Sequence, residues 1–409
     1  MTKNVSIKFC KKCLYSENHP LGITFNDEGI CSGCLVHDEK NKLDWSFRWQ
    51  KLLKLVKRYK SKKNNYDAIV PVSGAQDSYF IMYIVKKLGL KPLVVHYNKY
   101  FNTDVGIYNL SNLRIKFNTD IIFQNVNPRC VKKLTKKTFT EFGNIYWPIL
   151  AGNSVFPVQI SIKYKIPLII WGAHQGLEQV GMYSHKNEVE MTRRYRKNHD
   201  LFGIDEYNIF NTYDDLNQED LSSYFYPSDS ELKHIGTRGI YLGNYLRWDP
   251  KAQHEKMIKL FNYKTTRFNR TIDCYDYVDC FNYLNLHDYL KFLKHGYSKI
   301  TDHLTREIRH KRIDKISALK IVSRYEKKSP LYVGLFSEWM GIDSKGLKFI
   351  TDKFKNNNLI YHNKSFQSLN DIAMLENKKK LKRKQIKKIS FFNNSSIKKK
   401  NYITFGKGY

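Results

Sequence analysis

Val70-Pro71-Val72-Ser73-Gly74-Ala75-Gln76-Asp77-Ser78 is the stretch that decides the fold. Tyr66 to Val72 is apolar and β-branched enough to form a short buried strand. Tyr79 to Leu88 reads as a helix with Phe80, Ile81, Ile84, Val85 and Leu88 on its inner side. Ser73, Gly74 and Ala75 between them permit a tight turn. In such a strand–turn–helix unit the unpaired N–H groups at the helix start can hold a phosphate. The Ser73 and Ser78 hydroxyls add donors, and Asp77 can hold a magnesium ion whose other partners are phosphate oxygens. The plainer alternative is an ordinary N-cap made of a Ser and an Asp. Dinucleotide-binding and Walker A patterns do not fit, for want of a third spaced Gly and a Gly-Lys-Ser/Thr.

Working outward, the strand–helix rhythm repeats. Asp44 to Tyr59 reads as an amphipathic helix with Trp45, Trp49, Leu52, Leu53 and Val56 inside. Leu93 to Tyr97 reads as a strand, Asn102 to Phe117 as a helix, Asp120 to Phe123 as a strand and Cys130 to Phe142 as a basic helix. Ile160 to Tyr164 closes a further helix, and Pro167 to Trp171 is a very apolar strand. This pattern predicts an α/β fold, a parallel sheet with helices on both faces. His96, Tyr97 and Asn98 fall at a strand's C-terminal end, where open α/β sheets bind ligands; simple turn roles suit them equally. Trp171, Gly172 and His174 follow the next strand, so Trp171 is a candidate to lie on a base or sugar and His174 to donate to a phosphate. Glu188, Glu190 and Arg193 have spacing that also suits helix salt bridges.

Beyond about residue 195 the rhythm changes. Residues 198–233 are acidic, aromatic and irregular, and Gly236 to Trp248 is rich in Gly and Tyr, which suggests a substrate-shaping insertion. Thr301, Asp302, His303, Arg306, Glu307 and Arg309 form a dense polar cluster. Arg309 and Arg312 can bind an acidic sugar or a diphosphate, and a solvated helix face explains them as well. Lys378 to Lys384 and Lys398 to Lys400 are charge blocks, expected in a tail or a peripheral helix. The expected units are a zinc-binding module at 1–43, a nucleotide domain at 44–195, a mainly helical substrate-shaping region at 196–350 and a basic extension at 351–409.

At the N-terminal end, Cys10-Lys11-Lys12-Cys13 and Cys31-Ser32-Gly33-Cys34 are separated by 17 residues. Four thiolates in two knuckles suit tetrahedral zinc, in a segment too short and polar to form a core without it. Four protein ligands leave no open position, so the role is structural. His19 and His37 are read as spare surface residues. The seven cysteines, with no apolar signal core, point to a reducing cytoplasm. No run of about 18 apolar residues is present, so no membrane span is expected. The net charge of +32 usually suggests nucleic acid. Asn, Ile, Tyr and Lys are abundant together, however, as in an AT-rich genome, and nucleic acid is not an expected partner.

The segment from Ser73 to Ser78 resembles the PP-loop of the ATP pyrophosphatases, whose usual form is Ser-Gly-Gly-Lys/Gln-Asp-Ser; Ala75 replaces the second Gly. The resemblance implies ATP cleavage between the α and β phosphates, with Asp77, Ser73 and Ser78 as catalytic residues. It implies nucleotide contacts at Ser73, Gly74, Ala75, Gln76, Asp77 and Ser78, at the strand end His96, Tyr97 and Asn98, and at Trp171, Gly172 and His174. A closer resemblance rests on the paired cysteines, Trp45, Tyr66-Asp67, Pro71 to Gly74, Lys91-Pro92-Leu93, Phe101-Asn102-Thr103, Ala151-Gly152 and Pro167 to Gly172. His287-Asp288-Tyr289, Gly296-Tyr297, Thr301-Asp302-His303 and Ile308-Arg309 continue it. In this order they are similar to the bacterial N-acetyl sugar amidotransferases of surface-polysaccharide and flagellar-sugar synthesis, over roughly residues 8 to 350. Tyr146-Trp147-Pro148-Ile149 departs from the Cys-Trp-Pro-Cys of many relatives.

The family implies that ATP with magnesium adenylates a sugar acetamido oxygen, that pyrophosphate leaves, and that ammonia displaces AMP to give an acetamidino group. It implies products destined for O-antigen, capsule or nonulosonic acid. Ammonia would come from a separate glutaminase, with a cyclase-like subunit as a further candidate partner. The sugar, nucleotide-linked or free, stays open. Two other readings stand beside it: a PP-loop tRNA thiolase drawing on Cys130, Cys274 and Cys280, and an inactive scaffold that kept the fold.

Overall fold

The computed structural model describes residues 7–62, 64–75, 77–213, 216–359, 366–383, 386–394 and 401–403. Its strands, in chain order, are β1 (Ala68–Pro71), β2 (Pro92–Tyr97), β3 (Phe101–Thr103), β4 (Ile121–Gln124), β5 (Leu168–Trp171), β6 (Arg238–Tyr241) and β7 (Asn401–Ile403). A five-stranded parallel sheet has the order β4-β2-β1-β5-β6, and β3 pairs antiparallel with β7. The chain moves from β1 outward through β2 to β4, then returns to β5 on the other side. The crevice at the C-terminal ends of β1 and β5 is therefore a topological switch point, where open α/β sheets take ligands.

The apolar strands are explained by burial on both faces. Ile69, Leu93, Val95 and Ile169 join one core with the Trp147–Tyr164 helix, while Val70, Val94, Leu168 and Ile170 join the other with the Ser78–Lys87 and Trp45–Tyr59 helices. A third core joins the N-terminal module to C-terminal helices: Cys10, Cys13, Cys31 and Cys34 pack with Tyr297, Ile300, Leu304 and Ile308. The module thus rests on the C-terminal helical region. Among the described residues, no helix is long and apolar enough to cross a membrane.

Several expectations change. Residues 101–103 form β3, and the helix expected from Asn102 begins at Asp104, with the Thr103 hydroxyl accepting from Gly106 N. The helix recognised at Ile160 starts at Trp147. Short helices, Glu206–Thr212, Gln218–Leu221 and Asp229–Ile235, occur among the described residues from 198 on, and the Gly- and Tyr-rich segment after them supplies β6, the edge strand of the sheet, paired with β5. Its Gly and Tyr content masked a four-residue strand shielded by the sheet. Arg48, a basic residue of the Trp45–Tyr59 helix, is buried because it donates to the carbonyls of Asn244 (2.6 Å) and His185 (2.8 Å). Glu190 pairs with Arg238, and Glu188 with Lys51, so these are tertiary ion pairs. His19 and His37 are buried against Tyr15 and Tyr297 and against His310. The block at 378–384 is helical over Lys378–Arg383, and residues 398–400 lie outside those described.

Gly152 marks the tightest contact beneath the crevice. A Cβ there would fall 2.0 Å from Tyr97 Cε2 and 2.1 Å from Cζ. Gly152→Ala should therefore destabilise the chain by about 1–3 kcal/mol, the usual cost of overpacking, read as a lower urea midpoint with an unchanged slope.

Candidate active site

The turn after β1 is held by its own side chains. Ser73 N donates to Ser78 Oγ (3.0 Å), Ala75 N donates to Ser73 Oγ (3.2 Å), and Ser78 N donates to Ala75 O (3.1 Å). Gly74 has φ +78, and a Cβ there would lie 2.9 Å from Gly106 O, so this position requires glycine. Ala75 keeps a negative φ and buries its methyl in the core beneath, so the departure from a second glycine does not strain the turn. Gln76 lies outside the described residues.

A cavity of about 310 Å³ opens over this turn. Ser73, Asp77, Ser78, Tyr97, Trp171 and Gly172 line it, as does Glu178 from the segment after β5. Gly172 makes room for Asp77, since a Cβ there would come within 3.0 Å of Asp77 Oδ2. Burial pushes the Asp77 carboxyl up to about 7; His254 opposes this and Asp276 adds to it. A carboxyl held off ionisation by burial gains most from a cation set against it, and this donor fits magnesium.

Other candidates lie elsewhere. His96 is buried beneath the turn with Nδ1 2.9 Å from Val72 O. Asn98 is a turn residue that accepts from Tyr100 N (2.8 Å) and Asn102 Nδ2 (3.0 Å) and donates to Asn125 (2.8 Å). His174 sits among Tyr183, Tyr195 and Tyr241, with Nδ1 accepting from Leu177 N (3.1 Å), and burial lowers it to about 3. None of these three lines the cavity. Cys130, Cys274 and Cys280 are buried away from it as well.

The remaining wall comes from residues that strand-end reasoning does not reach. The Lys299–Arg309 helix is buried along most of its length and presents Lys299, Asp302, His303, Arg306 and Arg309 to the cavity. The polar cluster was visible in the sequence; its burial follows from packing on the N-terminal module. Arg306 binds Asp273 (2.5 Å), Asp276 (2.8 Å) and Glu307 (3.1 Å). Asp302 accepts from Lys291 (2.6 Å) and Tyr15 Oη (2.9 Å) and lies 3.2 Å from Lys299 Nζ; burial would raise its carboxyl, but the two lysines hold it far below the usual range. Lys99, also on the wall, pairs with Asp279 at 2.7 Å. Asp273, Asp276 and His303 bring ligand atoms within 4.8 Å of one another, but Arg306 already binds both carboxylates.

The Cys10, Cys13, Cys31 and Cys34 sulfurs also gather within 4.8 Å, all buried. The N–H groups of Lys12 (3.3 Å), Cys13 (3.4 Å) and Cys31 (3.3 Å) donate to Cys10 Sγ, which suits a thiolate. This cluster fits a structural zinc module.

Residues 255–376 match the family described as "LPS biosynthesis protein WbpG-like, C-terminal domain". The chain carries a WbpG-like C-terminal domain. No curated protein matches the chain. Among solved structures, the NH3-dependent NAD synthetase from Campylobacter jejuni subsp. jejuni NCTC 11168, in complex with the nitrate ion, is similar with TM-score 0.27 and 10% identity, over 47% of this chain and 92% of its own. NMN synthetase from Francisella tularensis is similar with TM-score 0.27 and 12% identity, over 55% of this chain and 98% of its own.

Two outcomes are expected. Metal analysis should find one zinc per chain; Cys31→Ser should lose it together with thermal stability, and chelator should do the same to the parent. A purified chain without zinc, unmoved by chelator, contradicts the module. Asp77 gives a pH signature. Its folded pKa lies above its unfolded one, so its contribution to stability is full below about pH 4 and is lost as pH rises through about 7. Without nucleotide or magnesium, Asp77→Asn should match the parent near pH 4 and exceed it at pH 8. The cavity admits some solvent, so the gain is on the order of 1–2 kcal/mol. Equal denaturation midpoints at both pH values would contradict it.

Proposed function

We propose that this chain is an ATP-dependent amidotransferase that converts a sugar acetamido group to an acetamidino group, using ammonia delivered by a separate glutaminase. The carrying observation is that one cavity joins Ser73, Asp77 and Ser78 to Asp276, Lys299, Asp302, His303 and Arg306, which belong to the WbpG-like segment. Nucleotide chemistry and sugar recognition then share one space.

In this reading Ser73 and Ser78 orient the departing phosphates, and Asp77 holds magnesium, which when bound offsets phosphate charge. Trp171 and Tyr97 bound the nucleotide. The acetamido oxygen attacks the α-phosphorus and pyrophosphate leaves. Ammonia adds to the activated carbon, loses a proton, and the carbon–oxygen bond breaks to release AMP. An amide oxygen is a poor leaving group and AMP is a good one, which is the reason to use ATP. A sulfur-transfer reading lacks support here, because no cysteine among the described residues lines the cavity. Surface polysaccharide is the proposed destination of the product, the cytoplasm the proposed compartment, and a cyclase-like subunit a candidate companion.

The test supplies ATP, magnesium, ammonium chloride and a panel of free and nucleotide-linked acetamido sugars. AMP, pyrophosphate and a sugar in which NH has replaced O should appear together. Glutamine should serve poorly until a glutaminase is added. AMP formed only with tRNA and a sulfur donor would replace this reading with thiolation.

A further inference from the structure

Side chains from distant parts of the chain line the cavity. One set surrounds the turn after β1. Another includes Tyr15 and His37, which belong to the four-cysteine module, beside Asp302, Arg309 and His310. Fastening an N-terminus does not require a metal module to present side chains to a substrate cavity.

The module is fixed to this wall by directed bonds. Tyr15 Oη donates to Asp302 Oδ1 at 2.9 Å. Ser32 Oγ donates to Val180 O at 2.7 Å, and Lys40 Nζ donates to Glu178 Oε2 at 2.5 Å. Arg309 donates to the carbonyls of Glu178 (2.9 Å) and Gln179 (2.8 Å) while its Nη2 lies 3.8 Å from Cys31 Sγ. The fit leaves no slack: a Cβ on Gly33 would lie 2.3 Å from Arg309 Nη2, and one on Gly181 2.5 Å from Ser32 O. The module cannot shift without moving Glu178, a cavity residue.

The chemistry of this wall differs from that of the turn. Tyr15 offers a ring and a hydroxyl. His37 and His310 meet edge to face at 4.8 Å, and burial disfavours the charged form of both. Neutral imidazoles and an aromatic ring suit hydroxyls, C–H faces and an amide. They do not suit a triphosphate. A sugar held beside ATP in this cavity of about 310 Å³ has the wall made by Tyr15 and His37 within reach.

We infer that the four-cysteine module carries part of the sugar-recognition surface, with Tyr15 and His37 as specificity-determining residues that contact the acetamido sugar. The inference rests on the amidotransferase reading. Tyr15→Phe and His37→Gln in the full chain test it, through pyrophosphate release with ATP, magnesium, ammonium and the acetamido-sugar panel, with zinc content measured on the same preparations. Each variant should raise KM for the sugar about tenfold, the effect of one lost hydrogen bond, leave KM for ATP within about twofold, and keep one zinc per chain. If His37→Gln loses zinc, Tyr15→Phe decides: it keeps the ring and removes a hydroxyl that also bonds Asp302, so a sugar KM that rises together with a lowered Tm marks loosening of the module and overturns the inference. Unchanged sugar KM in the deciding variants, or ATP KM rising in step, overturns the inference alone. A parent that releases no pyrophosphate with any acetamido sugar overturns the amidotransferase reading and this inference with it.

Discussion

The position of β1 between β2 and β5 is the constraint on which the site depends. Parallel pairing on both sides sends the turn after β1 and the segment after β5 to the same edge of the sheet. Ser73, Asp77 and Ser78 then meet Trp171-Gly172 without any direct sequence relation, and Gly172 leaves the space that Asp77 fills. The third wall needs a separate device. The Lys299–Arg309 helix buries polar side chains because the N-terminal module packs against its apolar side through Ile300, Leu304 and Ile308.

Charge pairing sets what the cavity wall can offer a ligand. The cations on its wall already have partners: Lys99 with Asp279, Lys299 with Asp302, Arg306 with Asp273 and Asp276, and Arg309 with backbone carbonyls. Under the proposed reading, a triphosphate entering this space would be compensated by an added cation, with Asp77 the carboxyl at the turn proposed to hold it. Such paired networks also fix side-chain directions, which orients a wall made largely of long, flexible residues.

Much of the fold was legible in the sequence because its strands are short apolar runs and its first helices are amphipathic. The four cysteines were legible because zinc knuckles have a fixed spacing. β6 was not, since Arg238-Gly239-Ile240-Tyr241 has neither length nor alternation, and only its pairing with β5 makes it a strand. The candidate site was legible where a strand end marks it. Tyr97 and Trp171 reach the cavity, whereas His96 turns to Val72 O, Asn98 closes a turn and His174 is enclosed by tyrosines. Neighbours in sequence point to opposite faces there, and no local pattern tells which. The polar cluster holding Arg306 was visible, but its place on the cavity was not, nor that of Tyr15 and His37, because contacts over hundreds of residues bring them in.

The turn after β1 and the Lys299–Arg309 helix line one cavity, which a single ligand can span. Hydrogen exchange with and without magnesium and a non-hydrolysable ATP analogue measures this directly. Exchange should slow at the start of the Ser78–Lys87 helix and, together with it, in the Lys299–Arg309 helix. Protection confined to the turn, with the C-terminal helix unchanged, would contradict it.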